Sequence, residues 1–350
     1  MDIDLRTLTP VWTGGAEAGK VDRLHETGII GSLRWWMEAM VRGVGGEVSD
    51  PTGDKRSLLE LKKYGDGGPK DAARLREAGL CDVSQVFGAT GWRRRFRLDI
   101  QDQTAPAESV ALTIKAQRSY TDGSGKERIP TWYFQSKPRT GRFRVSIQSL
   151  DPSFRPEVMA GLIQFLADWA AIGARPQMGF GVVEPVEGRI QTMPLYDWLA
   201  GRTGQKAYPS LPSLENIFLA RIIGHGASDQ DTFNLKYDLR RLFTGDTDLR
   251  HFIMGTVKGD RIASKVKVSR PYSAKTNEVA AKGNLIRVWG WVPQRSGFYK
   301  GGWSRESVLQ TIHDHIAPDL LVWREMNSTR DTVAKDCGDP LAFARDLLGL

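Results

Sequence analysis

Residues 28–42 read Gly28-Ile29-Ile30-Gly31-Ser32-Leu33-Arg34-Trp35-Trp36-Met37-Glu38-Ala39-Met40-Val41-Arg42. Ile29, Leu33, Trp36, Met37, Met40 and Val41 recur at helical spacing, while Arg34, Glu38 and Arg42 stand four apart on the other face. That pattern makes an amphipathic helix, which Gly43 and Gly45-Gly46 stop. Ahead of it, Ile3, Leu5 and Thr7 alternate with Asp4 and Arg6, a strand with one buried face that Thr9-Pro10 ends. Beyond it, Phe96, Leu98 and Ile100 alternate with Arg95, Arg97 and Asp99; Val110, Leu112 and Ile114 form another apolar alternation; Phe143, Val145 and Ile147 form a third. Pro156 to Ile172 is a second helix, with Val158, Leu162, Phe165, Leu166 and Trp169 on one face. The glycine-punctuated segment Gly173 to Gly181 then leads into a short strand at Val182-Val183.

The order β–α–β–β–(β)–α–β is that of the split βαβ unit. The second half repeats it more loosely. Ile217 to Ile223 suits a strand and Phe233 to Phe243 a helix. Ile262 to Val268 and Leu285 to Val292 suit strands, and Ser304 caps a further helix carrying Val308, Ile312 and Ile316. The expected fold is therefore α+β: two ferredoxin-like (RRM-like) domains, each an antiparallel sheet with helices on one face. Their expected extents are residues 1–195, with a surface insertion at about 47–80, and residues 196–350.

The chain of 350 residues carries 49 Lys+Arg against 41 Asp+Glu, a formal charge of +8. At about 150 residues per domain, the length agrees with two domains. Two cysteines, Cys81 and Cys337, are too few for a disulfide framework or a structural zinc site and suit a reducing cytoplasm. No stretch of about 18 apolar residues is present, and Met1 to Pro10 is unlike a signal peptide, so no membrane partner is expected. The positive balance permits a nucleic-acid partner.

Two basic clusters stand out. In Trp92-Arg93-Arg94-Arg95-Phe96-Arg97, strand alternation would put Arg93, Arg95 and Arg97 on one face, suited to a phosphate backbone beside a stacking aromatic; the alternative is a solvated face with ion pairs. The second cluster holds Lys258, Arg261, Lys265, Lys267 and Arg270, with Lys265 and Lys267 outward and Val266 and Val268 inward; the alternative is lysines guarding an exposed strand edge. The Gly173–Gly181 loop allows left-handed backbone, and its N–H groups with Arg175 could cradle a phosphate, although a plain helix-to-strand connection reads equally from the residues. His25, near Lys20 and Arg23, is a candidate acid/base for RNA cleavage or simply a polar loop histidine. His313 and His315 point to different faces of one helix and cannot share a metal. No nucleophile elbow, zinc spacing or paired-carboxylate signature appears, so no catalytic residue, metal or cofactor is expected.

Three segments together resemble the RAMP superfamily of CRISPR proteins: Thr9-Pro10-Val11-Trp12-Thr13-Gly14-Gly15 after the first strand, Ile30-Gly31-Ser32-Leu33-Arg34-Trp35-Trp36 in the first helix, and Gly173 to Gly181 after the second. The Gly-x-Leu-Arg-Trp-Trp helix followed by Val86-Phe87-Gly88-Ala89-Thr90 looks most like the first-numbered RAMP subunit of the Cmr-type (type III-B) effector complex. The likeness is dense over about residues 1–185. It implies a non-catalytic RNA-binding subunit of an antiviral ribonucleoprotein that caps the end holding the guide 3′ portion and helps capture target RNA. The implied partners are CRISPR guide RNA, target RNA and other Cmr subunits. By position it implicates Arg34, Trp35, Arg175 and Phe180, to which the basic clusters and Arg42 add further RNA-binding candidates. Two other readings are a metal-independent endoribonuclease maturing guide RNA through His25, and a structural cap that meets only protein.

Overall fold

In the computed structural model, residues 1–50, 53, 57–64, 72–122, 124–226, 228–257, 259–273, 283–333 and 338–350 are described. Strand β1 (Asp2–Thr7) leads to helix α1 (Glu26–Gly43). Two long strands, β2 (Phe96–Pro106) and β3 (Arg139–Ser149), precede helix α2 (Glu157–Trp169) and strand β4 (Val183–Pro185). They form one antiparallel sheet in the order β2-β3-β1-β4. Period-two alternation sends Ile3, Leu5, Phe96, Leu98, Phe143, Val145 and Ile147 to one face, where they meet Leu33, Trp36, Met37 and Met40 of α1 and Leu162, Phe165 and Leu166 of α2.

Helix α3 (Met193–Ala200) leads to the second half. There strand β5 (Ile217–Gly224), helices α4 (Asp229–Arg241) and α5 (Thr247–Met254), strands β6 (Val266–Val268) and β7 (Asn284–Trp291), helix α6 (Arg305–Ile316) and strand β8 (Leu320–Arg324) follow in turn. Helix α7 (Pro340–Leu347) ends the chain. The second sheet, β6-β7-β5-β8, is antiparallel and repeats the spatial order of the first: second strand, third, first, fourth.

The second sheet is buried on both faces. Phe218, Ala220, Ile222, Ile286 and Val288 pack on its own helices. Ile217, Leu219 and Trp289, which alternate with them, belong to the first half's core. Between the halves, the buried guanidinium of Arg287 donates to the carbonyls of Leu166 (3.2 Å), Ala167 (2.6 Å) and Ala170 (2.7 Å) at the end of α2, and to the Tyr272 hydroxyl (2.9 Å). Arg221 adds a bond to the Asp168 carbonyl (2.6 Å) and lies over the Trp169 ring. Two guanidinium groups from one sheet thus satisfy the orphan carbonyls at another unit's helix terminus.

The structure adds four details to the sequence reading. The charged face of α1 is not solvated: Glu38 and Arg42 are buried, because helix Asp82–Phe87 and the Pro212 carbonyl cover it. Only Thr113–Lys115 of the Val110–Ile114 alternation is a strand, and Leu112 is exposed. Helix α3 spans the boundary expected at residue 195 and buries Leu195 and Leu199 in the first core, which α7 also joins through Phe343 and Leu347. Within 47–80, the described residues include helices Leu61–Tyr64 and Ala72–Glu77, with Leu59, Leu75, Ala78 and Leu80 forming a small apolar cluster of their own.

Replacing Arg287 by Ala removes a charged donor from four acceptors and should destabilise the fold by about 2–4 kcal/mol. Arg287→Lys should recover only part, because an ammonium lacks the fork. Urea unfolding of the three proteins measures this, and equal midpoints would refute the capping role.

Candidate nucleic-acid interface

The outward face of the first sheet is the obvious platform, and most of its charges are paired with one another, Arg142 excepted. Asp2, Asp4 and Arg6 of β1, Arg142 and Arg144 of β3, and Arg97 and Asp99 of β2 share that face by register. Arg144 grips Asp4 through two bonds (2.7 and 2.6 Å), Arg6 pairs with Glu184, and Arg97 pairs with Asp99 (2.8 Å). Its outward positions are Asp, Glu, Arg, Gln, Ser and Thr, with no aromatic side chain on which a base could stack.

The expected row of Arg93, Arg95 and Arg97 does not form. Strand β2 begins only at Phe96, after a turn through Gly91, so Arg93 lies in an exposed loop. Arg95 is buried, 3.7 Å from the Asp151 carboxylate and bonded to Ser153, with its guanidinium over Trp92. Only Arg97 stands on the strand face, and Asp99 holds it.

Arg34 and Arg42 are likewise committed. Both bond Glu38 (3.0 and 3.1 Å), Arg34 reaches the Gly88 carbonyl and Ser84, and Arg42 reaches the Pro212 carbonyl. The glycine loop serves the protein's own packing. Gly173, Arg175, Gly179 and Gly181 all have positive φ. A Cβ on Gly173 would lie 2.5 Å from the Trp12 carbonyl oxygen, and one on Gly179 would lie 2.7 Å from Arg270 Cγ. Phe180 is fully buried against Trp12 and Phe134, so it is not a base platform. The partly exposed Arg175 rests its guanidinium 4.0 Å from the Trp12 ring centroid. Arg270, expected on the surface, is buried over Phe180 and paired with Asp229. Arg261 is exposed, and Lys258 lies outside the described residues.

One grouping of the expected residues does form, across the seam between the halves. Lys267 sets its ammonium 5.5 Å from the ring centroid of Trp35, which stands edge-on to Trp36. Lys265, just ahead of β6, places its ammonium 3.6 Å from the Phe252 ring and 5.2 Å from Trp291, and donates to the Phe252 carbonyl. Lys267 donates to the Lys265 carbonyl (2.9 Å). Val266 and Val268 face inward, as their alternation indicates. Sequence reasoning missed a third member. Lys236 of α4 donates to Ser264 Oγ (2.7 Å) and to the Val266 carbonyl at the outer edge of β6. It sits between Leu235 and Tyr237, and the nearest basic residues along the chain, Arg240 and Arg241, are four and five positions away, so no dense run marks it.

Burial pushes the Lys265 ammonium down to about 8. Burial, reinforced by Lys265, takes Lys267 to about 7. Lys236 lies well below the usual lysine range through burial and the neighbouring cations Lys267 and Arg240. Among the described residues no carboxylate acts on any of the three. Elsewhere, His25 bonds Asp22 (2.7 Å), while Lys20 pairs with Glu17 and Arg23 with Glu26. Among the described residues no three His, Cys, Asp or Glu gather as a metal would need, and no helix is long and apolar enough to cross a membrane.

A four-stranded antiparallel sheet with two helices on one face and a glycine loop closing the second helix defines the class. The RAMP superfamily model matches residues 4–184, and the chain belongs to that superfamily. Among solved structures, Cmr1 from Pyrococcus furiosus in its apo form is similar at 14% identity, covering 90% of this chain and 96% of that one with a TM-score of 0.46. A chain of the type III-B Cmr-beta complex bound to cognate target RNA and AMPPnP is similar at 10% identity, covering 90% of this chain and 99% of that one with a TM-score of 0.42. No curated protein matches the sequence.

Because Phe180 is core, Phe180→Ala should cost about 3–5 kcal/mol of stability while leaving RNA affinity per folded molecule unchanged. Thermal or urea melts paired with RNA titration test this. A normal melt with weakened RNA binding would return Phe180 to the interface.

Proposed function

We propose that the chain is a non-catalytic RNA-binding subunit of a type III-B (Cmr) CRISPR ribonucleoprotein, capping the end that holds the guide 3′ portion and helping to capture target RNA. Superfamily membership supports the class. The Ile30–Trp36 segment, with its Gly-x-Leu-Arg-Trp-Trp pattern, supports the subunit. We read the two halves as ferredoxin-like domains, the first ending in the segment between α3 and β5. Its working place is in the bacterial or archaeal cytoplasm, beside other Cmr subunits.

The observation that carries the reading is the seam. Trp35, from the helix that resembles the family, meets Lys267, while Lys265 beside it lies over Phe252 and Trp291; neither lysine has a carboxylate partner among the described residues. Aromatic faces interleaved with cations suit a single strand, giving stacking and phosphate attraction without base readout. Sequence choice then falls to guide pairing. The endoribonuclease alternative would use His25, yet the cations beside it are each engaged by a glutamate.

The isolated protein should bind single-stranded RNA without strong sequence preference. Its log affinity should fall linearly with log salt, by about 0.7 per phosphate neutralised. Salt titration by fluorescence anisotropy measures this, and a salt-independent affinity would refute it. Incubating guide precursor with the chain and a metal chelator should leave the RNA intact. Cleavage abolished by His25→Ala would establish the nuclease instead.

A further inference from the structure

Lys236 of α4 and Lys267 of β6 both donate to the segment Ser264–Val266, whose middle residue is Lys265. Their hydrogen-bond partners are one serine hydroxyl and backbone carbonyls: Ser264, Val266, Lys265 and Phe252. Lysines that guard a strand edge do so while solvated. Here Lys265 is buried, and Lys236 and Lys267 are only partly exposed. Gathering like charges away from water costs free energy unless an anion is supplied. Buried cations elsewhere are answered in two ways: Arg42, Arg95, Arg270 and Arg330 by a carboxylate, and Arg287 by three carbonyls and a hydroxyl at the end of α2. The three lysines have no carboxylate among the described residues and only one or two uncharged acceptors each, which leaves them open to an external anion.

We propose that Lys236, Lys265 and Lys267 form a phosphate site that takes one phosphodiester of a single RNA strand, with the Trp35 ring beside Lys267 receiving the adjoining base. This deepens the RNA-binding reading and rests on it. The cluster is reachable through the partly exposed Lys236 and Lys267, and the Trp35 ring centroid lies 5.5 Å from the Lys267 ammonium.

A bound phosphate favours the charged lysines and so draws protons into a pocket that is partly neutral when empty. Lys267 faces Lys265 from its own strand and Lys236 from α4, and Arg240 faces Lys236; all are cationic. Affinity should therefore decline as pH rises through about 7 and 8, where Lys267 and Lys265 lose their protons when the pocket is empty.

The test uses the full chain, a labelled single-stranded RNA, the double variant Lys236→Met with Lys267→Met, and an open-face control, Arg97→Ala with Arg142→Ala. The double variant should bind at least about tenfold more weakly, with a salt slope shallower by about 0.7 and a flatter pH profile between 6 and 9. Its melting temperature should be unchanged or raised, since two strained cations are gone. The control should bind as the wild type does. Affinity of the double variant within twofold of wild type, or an equal pH profile, would overturn the site. So would a lowered melting temperature, which would make the ammoniums structural. Competition by millimolar inorganic phosphate independent of RNA length would overturn the RNA strand as occupant. Failure of the wild-type chain to bind RNA at all would instead sink the underlying reading.

Discussion

Arg287 holds the molecule in its working shape. It is a buried cation that meets only carbonyls and a hydroxyl, yet it is not stranded, because those carbonyls end helix α2 and carry the negative pole of its dipole. Its planar fork matches several acceptors at once, which a lysine could not do. The bond fixes more than two helical turns against a strand. Arg287 lies in β7, where Val288 and Trp289 register against Val268 and Lys267 of β6. Docking β7 on α2 therefore also sets Lys267, across the seam, against Trp35 of α1.

That docking has a cost for recognition. A four-stranded sheet has one face free once its helices cover the other, and α2 occupies that face in the second half. The corresponding face of the first half remains open, but Arg6, Arg97 and Arg144 on it answer their own acidic neighbours, and it offers no ring to a base. A nucleic acid that approached either sheet frontally would find no stacking platform. Lys265 and Lys267, without a carboxylate among the described residues, lie where β6 meets α1.

Much of the architecture was legible because it rests on periodicity. The alternations at residues 3–7, 96–100 and 143–147 and the helical stripe at 29–41 all reappear with the inward residues expected. The interface was legible only in part, for a physical reason. Alternation predicts which residues share a strand face, but not where a strand begins, and Arg93 to Arg97 straddles the start of β2. Periodicity likewise places Arg42 on a polar face without indicating that the segment around Pro212 will cover it. Phe180 was implicated by its position in the family resemblance, whereas here the positive-φ glycines on either side let the chain close over it.

The same limit explains Lys236. A reading along the chain weighs charge by local density, so it favours Arg93–Arg97, where four arginines fall within five residues. Folding redistributes that weight according to counter-ions. An arginine with a carboxylate at hydrogen-bond distance is already neutralised, and transferring it to a phosphate gains little, because one ion pair replaces another. A lysine whose ammonium meets only carbonyls gains the whole interaction on binding. By that measure the densest basic run is the poorer phosphate surface, since Asp151 and Asp99 take two of its arginines. An isolated lysine among uncharged or acidic neighbours becomes the better one once β6 brings two more lysines to it.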